Sequence, residues 1–541
     1  MDEFSYLLAA DTFAHGRLAN PEHPFATHFE SMHTLVRPMY VSIFPVGQGL
    51  ALALGQVVFG HPWAGVWVSV GLMSAAICWA LEGWLTPGWA LFGSWLFALR
   101  LGVFSYWMNS YWGGAVAACG GALVLGALPR MLSRRSKMDA VWLGAGLAIL
   151  ANSRPFEGLV FAVLMFGVAC AKARTLPVIW PAALILAIVS AGMSYYFWRA
   201  TGSPVRVPYL QYRTTMASAP HFIFQAPRPM PVYHHDALRT FGDWELGIYR
   251  TARDASVLAA MGERAATYWR FLFGVLLTIP LVTLPWLWKD RDARLLVIAA
   301  LLFFLIALAP QVWDSPHYGA PAAAMVALIA TMGMRKLHGW PIGSALIRAL
   351  PLAVALTLFV DAGARSPNLP GSRWMTWGGT QTPRAAILER LQRSGGQQLA
   401  LVRYTIHHDV NDEWVYNGAD LDTSPVVWAR EMGPARDGEL VRHYSGRRIW
   451  LVEPDATPPR ISPYPVEAVQ SPDSLKAAVL KAASELCGAA SCPFSCDQWN
   501  YVLTHATGNA GPNVESGCMI GSDRSRPVSF EHWFAWLQGE R

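Results

Sequence analysis

The chain has 541 residues, 53% of them hydrophobic and only 14% charged, with a formal net charge of +6 and a mean hydropathy of +0.28. So few charges over so long a chain exclude a soluble globular enzyme. The positive balance points to no nucleic acid, because basic connectors between apolar stretches and the arginines of one long loop account for it.

In chain order, the first predicted element is an amphipathic helix beginning at Asp2 and Glu3. Phe4, Leu7, Leu8 and Phe13 are apolar and Asp11 and His15 polar, so this helix is expected to lie along a membrane surface. A turn at 16–21 leads into a stretch carrying His28, Glu30, His33, Arg37 and Tyr40. The apolar run 44–60 starts near Pro45 and holds Gln48, Gln56 and several glycines, so it reads as a second interfacial helix and not a crossing.

About ten spans follow, at 62–84, 87–107, 112–130, 139–153, 155–172, 176–199, 267–288, 294–312, 317–334 and 343–362. A bilayer core of about 30 Å needs about 20 apolar residues per helix, and the short run 139–153 suits a tilted or broken one. Basic residues gather in alternate connectors: Arg130, Arg134, Arg135 and Lys137; Lys172 and Arg174; Lys289, Arg291 and Arg294; Arg335, Lys336 and Arg348. Those connectors are expected to be cytoplasmic. The other side receives 1–61, the turns 109–113, 152–158 and 314–319, the loop 200–266 and everything after 362. That loop is rich in Arg but too long for the charge rule to govern it.

The tail changes character. A helix over 383–393, with Ile387 and Leu391 on one face, precedes buried strands over 398–404, 425–429 and 448–453, which predicts a small α/β domain. His407, His408, Asp409, Asp412 and Glu413 follow the first strand and read as a solvated loop, with a metal site as the alternative. A Pro-rich linker at 457–465 leads to a helical segment bearing Cys487, Cys492, Cys496 and Cys518. An even number in a domain placed outside suggests two disulfides whose pairing stays open, and no Cys-x2-Cys pair favours zinc. Cys78, Cys119 and Cys170 fall inside spans as packing residues. The expected fold is an α-helical polytopic membrane protein with a C-terminal soluble α/β domain. Its parts are 1–61 (outer-face loop with two interfacial helices), 62–362 (spans plus the loop 200–266), 363–456 (the α/β domain) and 457–541 (linker and Cys-bearing segment).

Polar residues converge on the outer face: Asn109, Tyr111 and Trp112; Asn152, Arg154 and Glu157; His317 and Tyr318. Each has an ordinary role available, as an interfacial anchor, an i,i+3 ion pair or a helix cap. Their gathering on one face favours a surface site, because ionisable groups at membrane depth are costly and functional by default.

The opening Asp2-Glu3-Phe4-Ser5-Tyr6-Leu7-Leu8-Ala9-Ala10-Asp11 resembles the first outer loop of GT-C glycosyltransferases. This superfamily includes protein O-mannosyltransferases, aminoarabinose lipid A transferases and the RgtA/B/C/D-like bacterial enzymes. The run from Phe44 to Gly55 is similar to the second interfacial helix, although Pro38 and Pro45 stand apart where the family often has Pro-Pro. His317-Tyr318 ahead of Ala320-Pro321-Ala322 is similar to the outer end of a late span. The resemblance covers 2–362. The family's first span has no counterpart in this sequence, so either the N-terminus is translocated unaided or a helix precedes Met1.

The resemblance implies inverting transfer of a sugar from a polyprenyl-phosphate donor to a lipid, glycan or protein acceptor on the periplasmic face of a bacterial inner membrane, with membrane lipid as a further partner. It implies Asp2 as general base with Glu3 as helper or metal ligand. Arg154, His317, Tyr318, Arg206 and Arg213 are candidates for the donor phosphate, and Tyr111, Trp112, Asn109 and Glu157 for the substrate. Some members use a divalent metal, so the resemblance leaves room for one. The competing readings are a lipid or sugar transporter or flippase, and a non-catalytic membrane scaffold. Ionisable groups gathered at one face, with no relay across a span, favour the enzyme.

Overall fold

The computed structural model describes residues 2–134, 136–172, 178–363, 382–405 and 407–465, with isolated positions at 479, 480, 498, 499 and 502. The four tail cysteines and the segment 466–478 lie outside the described residues. The chain forms two compact units: one of 1–22, 32–232 and 241–380, the other of 23–31, 233–240 and 381–541.

The first unit opens with α1 (Asp2–Ala14), whose acidic first turn suits the positive end of a helix. Helix α1, expected along a membrane surface, buries Ser5, Tyr6, Leu8, Ala9, Ala10 and Thr12 against the rest of the unit. The small ones among them, Ser5, Ala9 and Ala10, permit close packing. Residues after it form a three-stranded antiparallel sheet of β1 (Asn20–Pro21), β2 (Thr34–Leu35) and β3 (Met39–Ser42) in the order β1-β3-β2.

Helix α2 (Val46–Phe59) covers the expected second interfacial segment. Its length of about 21 Å, at 1.5 Å per residue, falls short of a bilayer core. Leu50, Leu54, Val57, Val58 and Phe59 are exposed on it. It ends at Gly60, whose φ of 78° is the left-handed conformation that glycine adopts freely. It crosses α3 (Pro62–Glu82) at a glycine contact: a Cβ on Gly55 would stand 2.2 Å from the backbone N of Gly65.

Beyond these come α4 (Pro87–Phe97), α5 (Ala115–Arg134), α6 (Lys137–Ala151), α7 (Pro155–Lys172), α8 (Trp180–Thr201), α9 (Pro208–Met216), α10 (Asp236–Asp254), α11 (Val257–Leu272), α12 (Leu284–Leu287), α13 (Arg291–Phe303), α14 (Ala323–His338) and α15 (Gly343–Gly363). Among the described residues six stretches are long and apolar enough to cross a membrane: α3, α5, α7, α8, Pro316–His338 and α15. The remaining expected spans are short or broken. The span 87–107 is α4 followed by a π-helical turn, Ala98–Val103, and 294–312 is α13 followed by the π turn Phe304–Leu308. The run 139–153 is the 15-residue α6.

The span 267–288 bends by 106° between α11 and Leu276–Leu287. Pro280 offers no N–H there and Gly274 turns with φ 60°. Arg100 lies buried at this break and donates from Nε to Phe271 O at 2.9 Å and from Nη2 to Arg270 O. It satisfies carbonyls that no helical N–H reaches. Cys170, expected as a packing residue, is exposed on α7.

The second unit has the expected α/β core. Helix α16 (Pro383–Arg393) is capped by Thr382 and buries Ile387 and Leu391. A sheet of β4 (Gln398–Val402), β5 (Val426–Arg430), β6 (Arg448–Glu453) and β7 (Arg460–Pro463) runs in the order β5-β4-β6-β7. β4 pairs in parallel with both β5 and β6, and every residue of β4 and β5 is buried, as strands covered on both faces require. Helix α17 (Pro434–His443) connects β5 to β6. The antiparallel β7 occupies the expected linker; an edge strand tolerates its terminal Pro463.

The loop after β4, expected to be solvated, is partly interior. Glu413 is buried and accepts from Tyr404 Oη at 2.6 Å, and Arg430 Nη2 donates to it at 2.5 Å. His408 meets Asp455 at 2.7 Å, while His407, Asp409 and Asp412 stay exposed.

Two short segments from the N-terminal half complete this unit. Arg430 donates to Glu30 O at 2.6 Å, and His234 meets the Glu30 carboxylate at 2.9 Å. His235 Nε2 lies 2.7 Å from Thr27 O, and His28 lies 3.3 Å from the buried Asp437.

Candidate functional site

Four parts of the first unit supply the polar site. The start of α1 brings Asp2, Glu3 and Tyr6. The loop before β2 brings His33. The turn between α6 and α7 brings Arg154 and Glu157. A 3-10 turn, Pro316–Ala322, brings His317 and Tyr318.

Asp2 Oδ1 lies 2.5 Å from His33 Nδ1. Burial alone raises the Asp2 carboxyl, but the charges of His33, of the N-terminal ammonium and of Arg154 outweigh it and hold it below the usual 3.8. Glu3 goes the other way. Burial lifts its carboxyl above 4.5, with Asp2 adding to the rise and the Tyr111 N–H, which donates to Glu3 Oε1 at 3.0 Å, opposing it. Adjacent carboxyl groups are thus driven apart, one toward the anion and one toward the acid. Gln48 Nε2 donates to Tyr111 O at 2.9 Å and fixes the same turn from α2.

Arg154 stands half-buried just ahead of α7, stacked over the Tyr318 ring at 4.6 Å. Among the described residues no hydrogen bond or ion pair reaches its guanidinium. Tyr6, Glu157, Tyr318 and Tyr106 act on it electrostatically and, against burial, hold its charge firmly. Desolvation pushes the Tyr6 hydroxyl up to about 12, so Tyr6 is a neutral donor and acceptor at ordinary pH. Glu157 is buried and accepts from Gln311 Nε2 at 2.9 Å.

His317 and Tyr106 hold one another. Tyr106 Oη lies 2.7 Å from His317 Nδ1 and accepts the His317 backbone N–H at 3.1 Å. Trp112 stands edge-on to His317 at 4.9 Å.

The structure therefore brings Asp2, Arg154, Glu157, His317, Tyr318 and Trp112 into one neighbourhood, with Glu3 and Tyr111 beside it. Asn109 lies in the same turn, its N–H bonded to Tyr106 O at 3.1 Å. Two expected phosphate ligands stand differently. Arg206 is exposed between α8 and α9. Arg213 is buried and committed to Glu245 at 2.7 and 3.0 Å and to Ala219 O.

Sequence reasoning missed Tyr6, Tyr106 and Gln311 as site residues, and it named His33 among the outer-side polar residues without giving it a role. Tyr6 carried a usable signal, being four residues after Asp2 on one helical face. Gln311 comes from a segment far away in sequence and carried none.

A divalent metal finds no ready cage at Asp2. Among the described residues the only three metal-ligating side chains with donor atoms mutually within 4.8 Å are His23, Asp422 and His443, in the second unit. His23 Nδ1 accepts the Phe25 N–H at 3.1 Å, which leaves its Nε2 protonated and donating to Asp422 at 3.2 Å. No step is routed through a metal.

No family model matches the chain, and no curated protein matches it. Solved structures similar to it include ArnT from Cupriavidus metallidurans in the apo state, at TM-score 0.40 and 15% identity, covering 69% of this chain and 62% of that one. Another is the Archaeoglobus fulgidus oligosaccharyltransferase with Zn and sulfate, at TM-score 0.40 and 11% identity, covering 84% of this chain and 63% of that one. The archaeal oligosaccharyltransferase AglB with an inhibitory peptide and a dolichol-phosphate has TM-score 0.36 and 12% identity, covering 84% and 65%. The chain spans less than two thirds of the length of each of these proteins.

Proposed function

We propose that the protein is a membrane glycosyltransferase that moves a sugar from a polyprenyl-phosphate donor to an acceptor hydroxyl at the outer, periplasmic face, with inversion. The observation that carries this reading is the pairing of an ionised carboxylate, Asp2, with an arginine in electrostatic range, Arg154, whose guanidinium stacks on the Tyr318 ring and, among the described residues, meets no hydrogen-bond partner. The sequence resemblance to GT-C enzymes points the same way. The second unit is built from 23–31, 233–240 and 381–541, three stretches that connector charge assigns to one side. This agreement supports the outer-face reading.

In this mechanism Arg154 binds the donor phosphate by a charge-assisted contact, and the Tyr318 ring holds the guanidinium plane. Trp112 and Tyr111 offer ring faces to the sugar. The acceptor oxygen attacks the anomeric carbon as the bond from that carbon to the phosphate oxygen breaks. Asp2 takes the acceptor proton, and the electron pair leaves on the lipid phosphate. Where the transition state is oxocarbenium-like that proton is lost late, so a weakly basic but fully ionised carboxylate suffices.

Binding is tested with detergent-solubilised protein and polyprenyl phosphate, following tryptophan fluorescence. Saturable quenching in the wild type, weakened in Arg154→Gln and unchanged in Arg206→Gln, is the expected result. Equal binding by all three contradicts the assignment of Arg154.

A further inference from the structure

His33 is the only non-glycine residue among those described with a positive φ, at 61°. A left-handed backbone costs such a residue about 1 kcal/mol or more, and strain of this kind persists where the surroundings over-determine it. The surroundings here do so. Ser5 Oγ donates to His33 O at 2.6 Å and shares a hydrogen bond of 2.8 Å with Ser42 Oγ, and the Ile43 N–H reaches the same carbonyl at 3.4 Å. Phe44, Tyr212 and Phe241 stand edge-on around the imidazole, with centroids at 5.5, 5.8 and 5.5 Å. Backbone and ring are thus both fixed, and Nδ1 is presented to Asp2 Oδ1 at 2.5 Å.

We propose that His33 is the positioning residue of Asp2: it holds one carboxylate oxygen and so aims the other at the acceptor hydroxyl. The inference rests on Asp2 being the base. A carboxylate on the first turn of a helix has free rotamers unless something holds it, and a base a fraction of an ångström out of place loses most of its effect. His33 touches no reacting atom; it acts through Asp2. The other titratable groups in electrostatic range of Asp2 are the N-terminal ammonium, Glu3 and Tyr6 on α1, Arg154 ahead of α7, and Tyr318.

Two substitutions suit the left-handed backbone. His33→Asn keeps a side-chain N–H near the place of Nδ1 without positive charge, and His33→Gly removes the donor without strain. In steady-state turnover of a polyprenyl-phosphate sugar, His33→Gly should lower kcat at least about 10-fold with the donor KM unchanged. His33→Asn should keep most of kcat, with the acid limb of its pH profile moved to higher pH. Equal losses in both variants, or no loss in either, overturn the positioning role. A double-mutant cycle on thermal unfolding, with Asp2→Asn, His33→Gly and the double variant, needs no turnover. Non-additive shifts in Tm are expected, and additive shifts overturn the contact itself. Absence of wild-type turnover with a non-additive cycle defeats the transferase reading and leaves the pair standing.

Discussion

In the proposed mechanism donor binding turns on Arg154, so replacing it with Gln, which removes a charge-assisted phosphate contact, should lower kcat/KM for the donor about 100-fold. The same change at Arg213 should act on folding, because it leaves Glu245 buried without its partner; a lowered Tm, with little change in KM for the surviving protein, is the expected pattern. Asp2 gives a signed pH dependence. Its folded pKa lies below its unfolded value, so the stability it contributes is present above pH 3.8 and lost as pH falls through the folded value. Glu3, raised above 4.5, acts oppositely and favours the folded state more as pH falls through its folded value. Denaturation midpoints of Asp2→Asn and Glu3→Gln against pH check both signs. At this scale the sequence showed Asp2, Arg154, Glu157, His317 and Tyr318 as polar residues at the ends of apolar runs, where water-facing chemistry must sit. It could not show that Arg213 meets Glu245 across a folded loop, because that pairing depends on where α9 and α10 pack.

At the scale of elements, glycines and one buried arginine decide how the helices meet. A Cβ on Gly65 would stand 2.2 Å from Ala51 O, so Gly65→Val should drive α2 from α3 and lower Tm by several degrees. Arg100→Met leaves the Phe271 and Arg270 carbonyls without donors at the bend after α11. Each such orphan costs about 1–3 kcal/mol, and a fall in Tm in detergent measures the sum. Hydrophobic runs placed the helices well but did not show which runs are unbroken α-helices. A run such as 87–107 reads as one apolar stretch whether the backbone is α-helical throughout or loosens into a π turn at Ala98–Val103. Hydropathy is blind to that difference. Likewise the amphipathic pattern of α1 showed an apolar face but not its close packing, to which its small residues, Ser5, Ala9 and Ala10, were the better guide.

At the scale of the whole molecule, the second unit draws on three separated stretches, 23–31, 233–240 and 381–541. The sequence revealed the α/β core through its strand alternation, but not the two inserted segments. Their contacts, such as Arg430 with Glu30 and His235 with Thr27, join residues some 200 to 400 positions apart. On the proposed topology these stretches share one side of the membrane and Lys336 lies on the other. Single cysteines at Arg390 and at Lys336, probed with a membrane-impermeant thiol reagent in intact cells, should label at 390 and not at 336. Labelling of both from one side contradicts the topology.

The most direct test of the central claim is release of free polyprenyl phosphate from a panel of polyprenyl-phosphate sugars, comparing the wild type with Asp2→Asn. The expected result is turnover of at least one donor by the wild type and its loss in Asp2→Asn, with melting showing that the variant is folded. Full activity in Asp2→Asn would remove that carboxylate from the chemistry, and no turnover of any donor by the wild type would contradict the transferase reading.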